Sequence, residues 1–170
     1  LVIRTPFRIN DQAGIEKEYE LIVRDMATKI HVAARETKQR ADLKGAVEAY
    51  KTYLDYFTTP TAARLAVLEN YAEANYDAHR YFDAGQAFEK VAAAKDRGEA
   101  DLLHSALAAY EKVVDDDDEL LARRIQSRYA IRQIGDNFLS RFPAHKDAKR
   151  IAFKVGRSYY DDGDYKNAID

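Results

Sequence analysis

The sequence contains no cysteine, only three prolines and seven isolated glycines among its 170 residues. Without cysteine, the chain can form no disulfide, no thiolate metal site and no cysteine nucleophile. Its glycines form neither a phosphate-binding loop nor a Gly-x-Ser-x-Gly nucleophile elbow. No uninterrupted apolar run approaches the roughly 18 residues of a transmembrane helix. These absences exclude several classes of enzyme and a direct membrane span.

The histidines and the net charge exclude further functions. His31, His79, His104 and His145 are scattered, with no His-x3-His pair and no glutamate at metal-site spacing. A formal charge of −2 at pH 7 gives no general attraction to nucleic acid or to anionic lipid. We therefore predict a protein that is not an enzyme, needs no cofactor or metal, and binds no nucleic acid.

One acidic run has two interpretations. Asp115–Asp118, followed by Glu119, suggests a calcium loop, but it lacks the alternating ligands and the central glycine of such a loop. Acidic residues in front of a helix also favour capping and complement the helix dipole. We prefer the capping interpretation.

Composition and periodicity predict a helical protein, with 46% hydrophobic and 33% charged residues. Residues 1–10, with Pro6 in the middle, have no helical period and form an extended tail or the end of a preceding element. Asp11 is a candidate cap for the first helix, which we expect to break near Met26. The predicted helices run over 11–40, 42–57, 60–78, 81–94, 99–114 and 119–141, and the start of a last hairpin follows from 145.

Two details of these helices can be checked against a structure. In the first helix, Ile30, Ala33, Ala34 and Thr37 have the spacing of one buried stripe. In front of the third, Thr59 is a candidate N-cap with Pro60 at the first helical position.

The stretch 149–170 carries the clearest motif. It reads Ala152-x2-Val155-Gly156-x2-Tyr159-x3-Gly163-x-Tyr165-x2-Ala168. This order of small and aromatic residues resembles the tetratricopeptide repeat, in which two short helices form a hairpin. The resemblance implies an all-α, right-handed α-solenoid of antiparallel helix hairpins. A single domain over 11–170 would contain hairpins at about 11–57, 61–94, 99–141 and 145–170, the last of them truncated.

Small residues recur at a longer interval than the family's usual period of about 34. Three pairs are each 38 residues apart: Ala34 with Ala72, Ala46 with Ala84, and Ala130 with Ala168. With Phe142-Pro143, this period resembles the longer repeats of bacterial cell-envelope assembly proteins. We expect four small residues to be buried where helices cross: Ala72, Ala84, Ala130 and Gly156.

In the family, the first helix of each hairpin lines a concave groove that binds ligands. The corresponding residues here form four successive bands, which are basic, acidic, apolar and basic. The candidate groove residues are His31, Arg35, Lys38, Glu69, Glu73, Tyr76, Leu103, Leu107, Tyr110, Arg150, Lys154, Arg157 and Tyr160. Ordinary salt bridges, such as Arg35 to Glu69 or Glu73, are the alternative explanation for the first two bands. The last basic band has no evident acidic neighbour in the third hairpin.

The resemblance implies a non-catalytic scaffold that binds a partner peptide or helix within a larger bacterial complex. An acidic or carboxylate-bearing segment, docked on the last basic band, is the candidate ligand. The alternatives are a structural spacer that self-associates, with the truncated C-terminal end as contact, and a regulatory domain of a larger enzyme. The compartment stays open, with the periplasm or cell envelope favoured. Because the chain begins at Leu1 and stops soon after Ala168, we expect it to be a fragment.

Overall fold

Seven α-helices follow one another in the computed structural model, which describes residues 12–95 and 98–169. They are α1 (Gln12–Thr37), α2 (Arg40–Tyr56), α3 (Ala62–Asp77), α4 (Tyr81–Ala94), α5 (Glu99–Val114), α6 (Leu121–Arg141) and α7 (Ala148–Asp161). These described ranges contain no β-strand. The predicted tail at 1–10 and the candidate cap Asp11 lie outside the described residues. Within the part of the chain described, no helix is both long and apolar enough to span a bilayer.

Each helix packs against the next one along the chain, and α1 also touches α3. Because the connections are short, consecutive helices run antiparallel. Two buried clusters form the core, one shared by α1, α2 and α3 and the other running from α3 to α7. Leu68 and Tyr71 of α3 pack against both clusters. The chain is therefore an all-α helical-repeat solenoid with a continuous core.

Helix α2 buries the face that its sequence predicts. Ala46, Tyr50, Tyr53 and Leu54 lie in the core because their spacing places them on one side of the helix. The Tyr53 hydroxyl donates a hydrogen bond to Glu20 of α1. Burial, followed by the neighbouring Glu20 carboxylate, raises the pKa of Tyr53 to about 12. The raised pKa extends the pH range in which the Tyr53 phenol is protonated and donates this bond into more alkaline solution.

The central helices α4 and α5 begin and end where the sequence predicts. Gly98 precedes α5 with φ of 74°, a left-handed conformation that glycine adopts without a Cβ penalty. Ala84, Phe88 and Val91 of α4 are buried, as expected from their spacing. These two helices form the middle of the stack.

The predicted stripe on α1 is wrong. Ile30 and Ala33 are exposed, and the buried face consists of Ala27, His31 and Ala34. Helices α2 and α3 both approach α1 from this second side, as the hydrogen bonds of His31 to both of them show. A polar residue therefore occupies a core position, and an apolar side of α1 is left open.

Two local expectations near the first helices are also corrected. Helix α1 continues through Met26 without a break. The N-cap of α3 is Thr61, whose Oγ1 accepts a hydrogen bond from the backbone N–H of Arg64 at 3.0 Å. Thr59 and Pro60 therefore lie in the preceding loop, because Thr61 supplies both the extended backbone and the side-chain acceptor of a cap.

The small residues at the helix crossings differ from those predicted in the second half of the chain. Ala72 and Ala84 are fully buried, as expected, whereas Ala130 is only half-buried. Gly135 instead makes the close contact, because a Cβ there would lie 2.2 Å from Val155 Cγ2 of α7. Helix α6 therefore packs closely against α7 at Gly135 rather than at Ala130, the position predicted from the repeat.

The last hairpin is incomplete. Helix α7 is followed by Gly163, whose φ is 78°, and then by turns up to Ile169, with no second helix in the described residues. Gly156 is half-buried at this point, and a Cβ added to it would lie 3.0 Å from the carbonyl oxygen of Ala168. The small residues of the motif are thus in contact, although the returning segment is not helical.

The acidic run does not cap α6. Leu120 is the N-cap residue, and it makes no side-chain capping bond. Asp116 Oδ1 instead accepts a bond from the Asp118 backbone at 3.0 Å, and Asp117 pairs with Arg124 at 3.2 Å. No group of three or more metal-ligating side chains forms in the described residues, this loop included.

The contact at Gly135 gives a test of the fold. Gly135→Ala should destabilise the protein by about 1–3 kcal/mol, because the new methyl group overlaps the stiff, β-branched Val155. Gly45→Ala is the matched control, since this helical glycine is exposed and a Cβ there meets nothing within 4 Å. The control should be neutral or stabilising by up to about 1 kcal/mol. Chemical denaturation of both variants measures the difference, and equal effects would contradict the α6–α7 packing.

Candidate functional site

The odd-numbered helices share one surface, which we call the odd-helix surface and define by the residues that connect α1 with α3 and α5 with α7. At its first junction, Arg35 of α1 pairs with Glu73 at 2.9 Å and with Asp77 at 2.5 Å, both on α3. His31 lies beside Arg35 and is buried, with Nε2 3.2 Å from Asp77 and Nδ1 3.3 Å from the Tyr50 hydroxyl. The predicted salt bridge from Arg35 to Glu73 is therefore confirmed.

The second junction, between α5 and α7, has the opposite order of charge. Glu111 of α5 accepts a hydrogen bond from Lys154 at 2.6 Å, and the Lys154 side chain is only 8% exposed. Asp115 pairs with Arg157 at 2.9 Å. The expectation that the last basic band has no acidic neighbour is therefore wrong. Two of its three cations are neutralised within the chain.

Arg150, the third cation of this band, has no carboxylate partner in the described residues. It donates a hydrogen bond to Nε2 of His104 on α5. Arg150 can only donate, so His104 is neutral here and carries its proton on Nδ1. Burial lowers the pKa of His104, and the positive charges of Arg150, Lys154 and His145 lower it further, against Asp147, which raises it. Arg150 is exposed, so its guanidinium presents hydrogen-bond donors to solvent beside His104.

No ion pair connects α3 with α5 among the described residues. A cleft of about 250 Å³ opens there instead. Its lining comes from three odd helices and from α4: Arg35, Glu73, Tyr76, Asp77, Phe88, His104, Ser105 and Ala108. A second space of about 290 Å³ adjoins it and shares Glu73, Phe88 and Ser105. The cleft combines carboxylates on the α3 side with a hydroxyl, a methyl group and an imidazole on the α5 side.

Three predicted groove residues lie in the core. Leu103, Leu107 and Tyr110 are at most 5% exposed, and none of them lines the cleft between α3 and α5. Helix α5 is covered by α4 on one side and by α6 on the other, and these side chains fill both contacts. The Tyr110 ring lies against the bare backbone of Gly85, and its hydroxyl donates to Glu89. Burial, then Glu89, raises the pKa of Tyr110.

The other predicted groove residues are spread over the surface. Lys38 is exposed just beyond α1 with φ of 54°, and Glu69 bonds to Lys95 rather than to Arg35. Tyr76 is half-buried at the cleft, and Tyr160 is exposed on α7. Only part of the predicted set is therefore brought together at one place.

Sequence reasoning missed the α5 side of the cleft. His104, Ser105 and Ala108 were not among the predicted site residues, although positions four apart share one face of a helix. The sequence contains one indication of this edge: each of the large apolar residues Leu103 and Leu107 is followed by a smaller or more polar residue, His104 and Ala108. A shift of one residue rotates the exposed face of α5 by about 100°. Hydrophobic periodicity alone does not determine which of the two positions faces solvent.

No protein-family model matches the chain, and the search of curated proteins gives no match. Among solved structures, the chain is similar to nearly identical TPR-like repeats of a candidate kinesin light chain from Podosopora anserina. That likeness has 17% sequence identity and a TM-score of 0.36, and it covers 85% of this chain and 90% of the other. At this level of similarity, the function must be argued from the surface of this chain.

The buried pair on α7 predicts a specific effect of charge reversal. Lys154→Glu should cost about 3 kcal/mol, because it places two carboxylates together in a site with little solvent. Arg150→Glu, on the same helix but exposed, should cost less than about 1 kcal/mol. Adding Glu111→Lys to the first variant should restore part of the loss, as urea denaturation would measure. Equal costs for both single variants would contradict the buried ion pair.

The environment of His104 predicts a dependence of stability on pH. Its pKa is lowered in the folded chain, so protonation favours the unfolded state as the pH falls below the unfolded value of about 6.5. The free energy of unfolding should therefore decrease more in the wild type than in His104→Gln between pH 7.5 and pH 5. Melting curves at both pH values give the comparison, and the other three histidines cancel because both proteins contain them. Identical slopes would contradict it.

Proposed function

We propose that this protein is a non-catalytic scaffold that binds a segment of a partner protein in the cleft between α3 and α5. This proposal rests on one observation, which is that the series of ion pairs along the odd-helix surface is interrupted between α3 and α5. The junctions α1–α3 and α5–α7 are closed by ion pairs, whereas the α3–α5 junction has none in the described residues and is open. A partner segment can bind in this opening and supply the contacts that α3 and α5 do not make with each other.

The chemistry of the cleft suggests how a segment would lie in it. A carboxylate of the partner would face Arg150, the cation of the last basic band that has no carboxylate partner. The apolar part of the segment would contact Phe88 and Ala108 in the cleft. Glu73 and Asp77, already paired with Arg35, would repel a second acidic group on the α3 side. Charge would thus set the direction of the segment, and burial would supply much of the affinity.

The sequence predicted that Arg150, Lys154 and Arg157 together bind a carboxylate of the partner. Lys154 and Arg157 have structural partners, so they contribute to the local potential and Arg150 makes the direct contact. Placement of the scaffold in a bacterial cell-envelope complex rests on the sequence resemblance at Phe142-Pro143 and on the 38-residue period. Self-association through the C-terminal end also stays a prediction, supported by the exposed side chains of Phe153 and Tyr165.

The test is a selection of binding peptides from a random display library on the wild-type chain. Peptides that also bind Ala108→Trp, in which the new ring fills the cleft, are removed. Ala41→Trp, at an exposed position of α2, is the matched control and should bind the selected peptides like the wild type. We expect the remaining peptides to carry a carboxylate next to apolar residues.

Affinity measurements on these peptides then test the role of charge. Arg150→Glu should weaken binding at least about tenfold at low salt and less at high salt, because the contact is exposed and screened. Arg40→Glu, an exposed arginine on α2, should leave the affinity unchanged. A selection that yields no cleft-dependent peptide would contradict the proposed function.

A further inference from the structure

A second open groove lies along another edge of α5, between α4 and α6, and we call it the α4–α6 groove. It has a volume of about 650 Å³ and shares no lining residue with the α3–α5 cleft. Helices α4 and α6 both pack antiparallel to α5, so they run parallel to each other and form the two walls. The floor between them is apolar and contains the buried side chains of Ala92, Leu103 and Ile134. The groove is therefore a separate surface.

The ion pairs of this groove leave one charge without an opposite partner. Arg141 of α6 donates hydrogen bonds to both carboxylate oxygens of Glu99, and Lys95 pairs with Glu69. Glu89 of α4 has no lysine or arginine partner within the described ranges, and the hydrogen bond that it accepts comes from a neutral phenol. A carboxylate in this position attracts a cation.

Two side-chain amides on the α6 wall are also available to a ligand. Gln133 and Asn137 line the groove and are exposed, and neither has a hydrogen-bond partner among the described residues. Each amide offers a donor and an acceptor, as a peptide group does. The two residues are four apart on one face of α6, so their amides repeat at about 6 Å. Alternate residues of an extended chain repeat at about 6.7 Å, so both amides can pair with such a backbone.

We propose that the α4–α6 groove binds an extended segment of a partner protein that carries a lysine or arginine. The backbone of the segment lies along α6, where Gln133 and Asn137 exchange hydrogen bonds with its peptide groups. The cationic side chain reaches Glu89 on the opposite wall. Because side chains alternate along an extended chain, the residues next to the cation face the apolar floor. From Gln133 to Arg141 the wall is about 12 Å long, which fits about four extended residues.

A peptide selection on a chain with a filled cleft tests this site separately from the proposed function. Peptides from a random display library are selected on Ala108→Trp, and those that also bind Ala108→Trp/Ala93→Trp are removed, because the second ring fills the groove. Ala94→Trp is the matched control, since Ala94 is equally classed as exposed but does not line the groove. The selected peptides should still bind this control and should carry a lysine or arginine beside apolar residues. A selection that gives no groove-dependent peptide, or only peptides without a cation, would overturn the proposal.

The role of Glu89 is tested with the selected peptides on the same Ala108→Trp chain. Glu89→Gln should weaken binding about tenfold at low salt and less at high salt, while glutamine keeps an acceptor for the Tyr110 hydroxyl. Glu36→Gln, at an exposed position of α1, is the matched control and should leave the affinity unchanged. Replacing the cationic residue of the peptide with norleucine should then cost less than about twofold in Glu89→Gln. An equal loss with and without Glu89→Gln would overturn the pairing.

Methylation of single backbone nitrogens in a selected peptide tests the extended backbone. Two methylations placed two residues apart should each weaken binding about tenfold, and the one between them should cost less than about threefold. One of the two large effects should disappear in Asn137→Leu, which removes a side-chain amide from the α6 wall. Uniform losses along the peptide, or an unchanged pattern in Asn137→Leu, would overturn the role of the amides. None of these results depends on whether the α3–α5 cleft binds peptides, because that cleft is filled.

Discussion

Close approach of helices at residues with little or no side chain is the constraint on which this structure depends. Gly85 of α4 lies against the Tyr110 ring of α5, and Gly135 of α6 lies against Val155 of α7. Because α4 approaches α5 this closely and α6 covers its other side, the large apolar side chains of α5 enter the core. The edge of α5 with His104 and Ala108 lines the α3–α5 cleft. The packing that stabilises the middle of the stack therefore also decides what the cleft can contain.

Ion pairs connect odd-numbered helices at two junctions of the stack. Arg35 closes the α1–α3 junction with two carboxylates, and Lys154 and Arg157 close the α5–α7 junction with one each. The order is basic then acidic at the first junction and acidic then basic at the second, so the carboxylates of α3 pair with α1 and those of α5 pair with α7. The α5 edge of the α3–α5 junction carries His104, Ser105 and Ala108, so it offers the α3 carboxylates no lysine or arginine to pair with. The α3–α5 junction therefore stays open, and His104 connects it with Arg150 of α7.

Much of the fold could be predicted from the sequence because the helices of the middle have regular periods and clear boundaries. The bounds of α4 and α5 and the buried face of α2 follow from local spacing alone. The buried face of α1 could not be predicted, since apolar residues occupy two of its sides and only the positions of α2 and α3 decide between them. His31 is buried there because Tyr50 and Asp77 both reach it. The candidate site was predicted in part, since its charges were identified but their partners depend on helix register.

The same packing rule gives the middle and the ends of the stack different surfaces. In the middle, neighbouring helices bury most apolar faces, and the open cleft combines a few charged side chains with apolar surface such as the Phe88 ring and Ala108. At the ends, α1 and α7 each lack a neighbour among the described helices, so Ile22 and Phe153 are exposed. Contacts at the ends can gain free energy from apolar burial, which is strong but discriminates little between partners. Recognition in the cleft depends on the placement of a few charges and on shape, and these are the properties that give specificity.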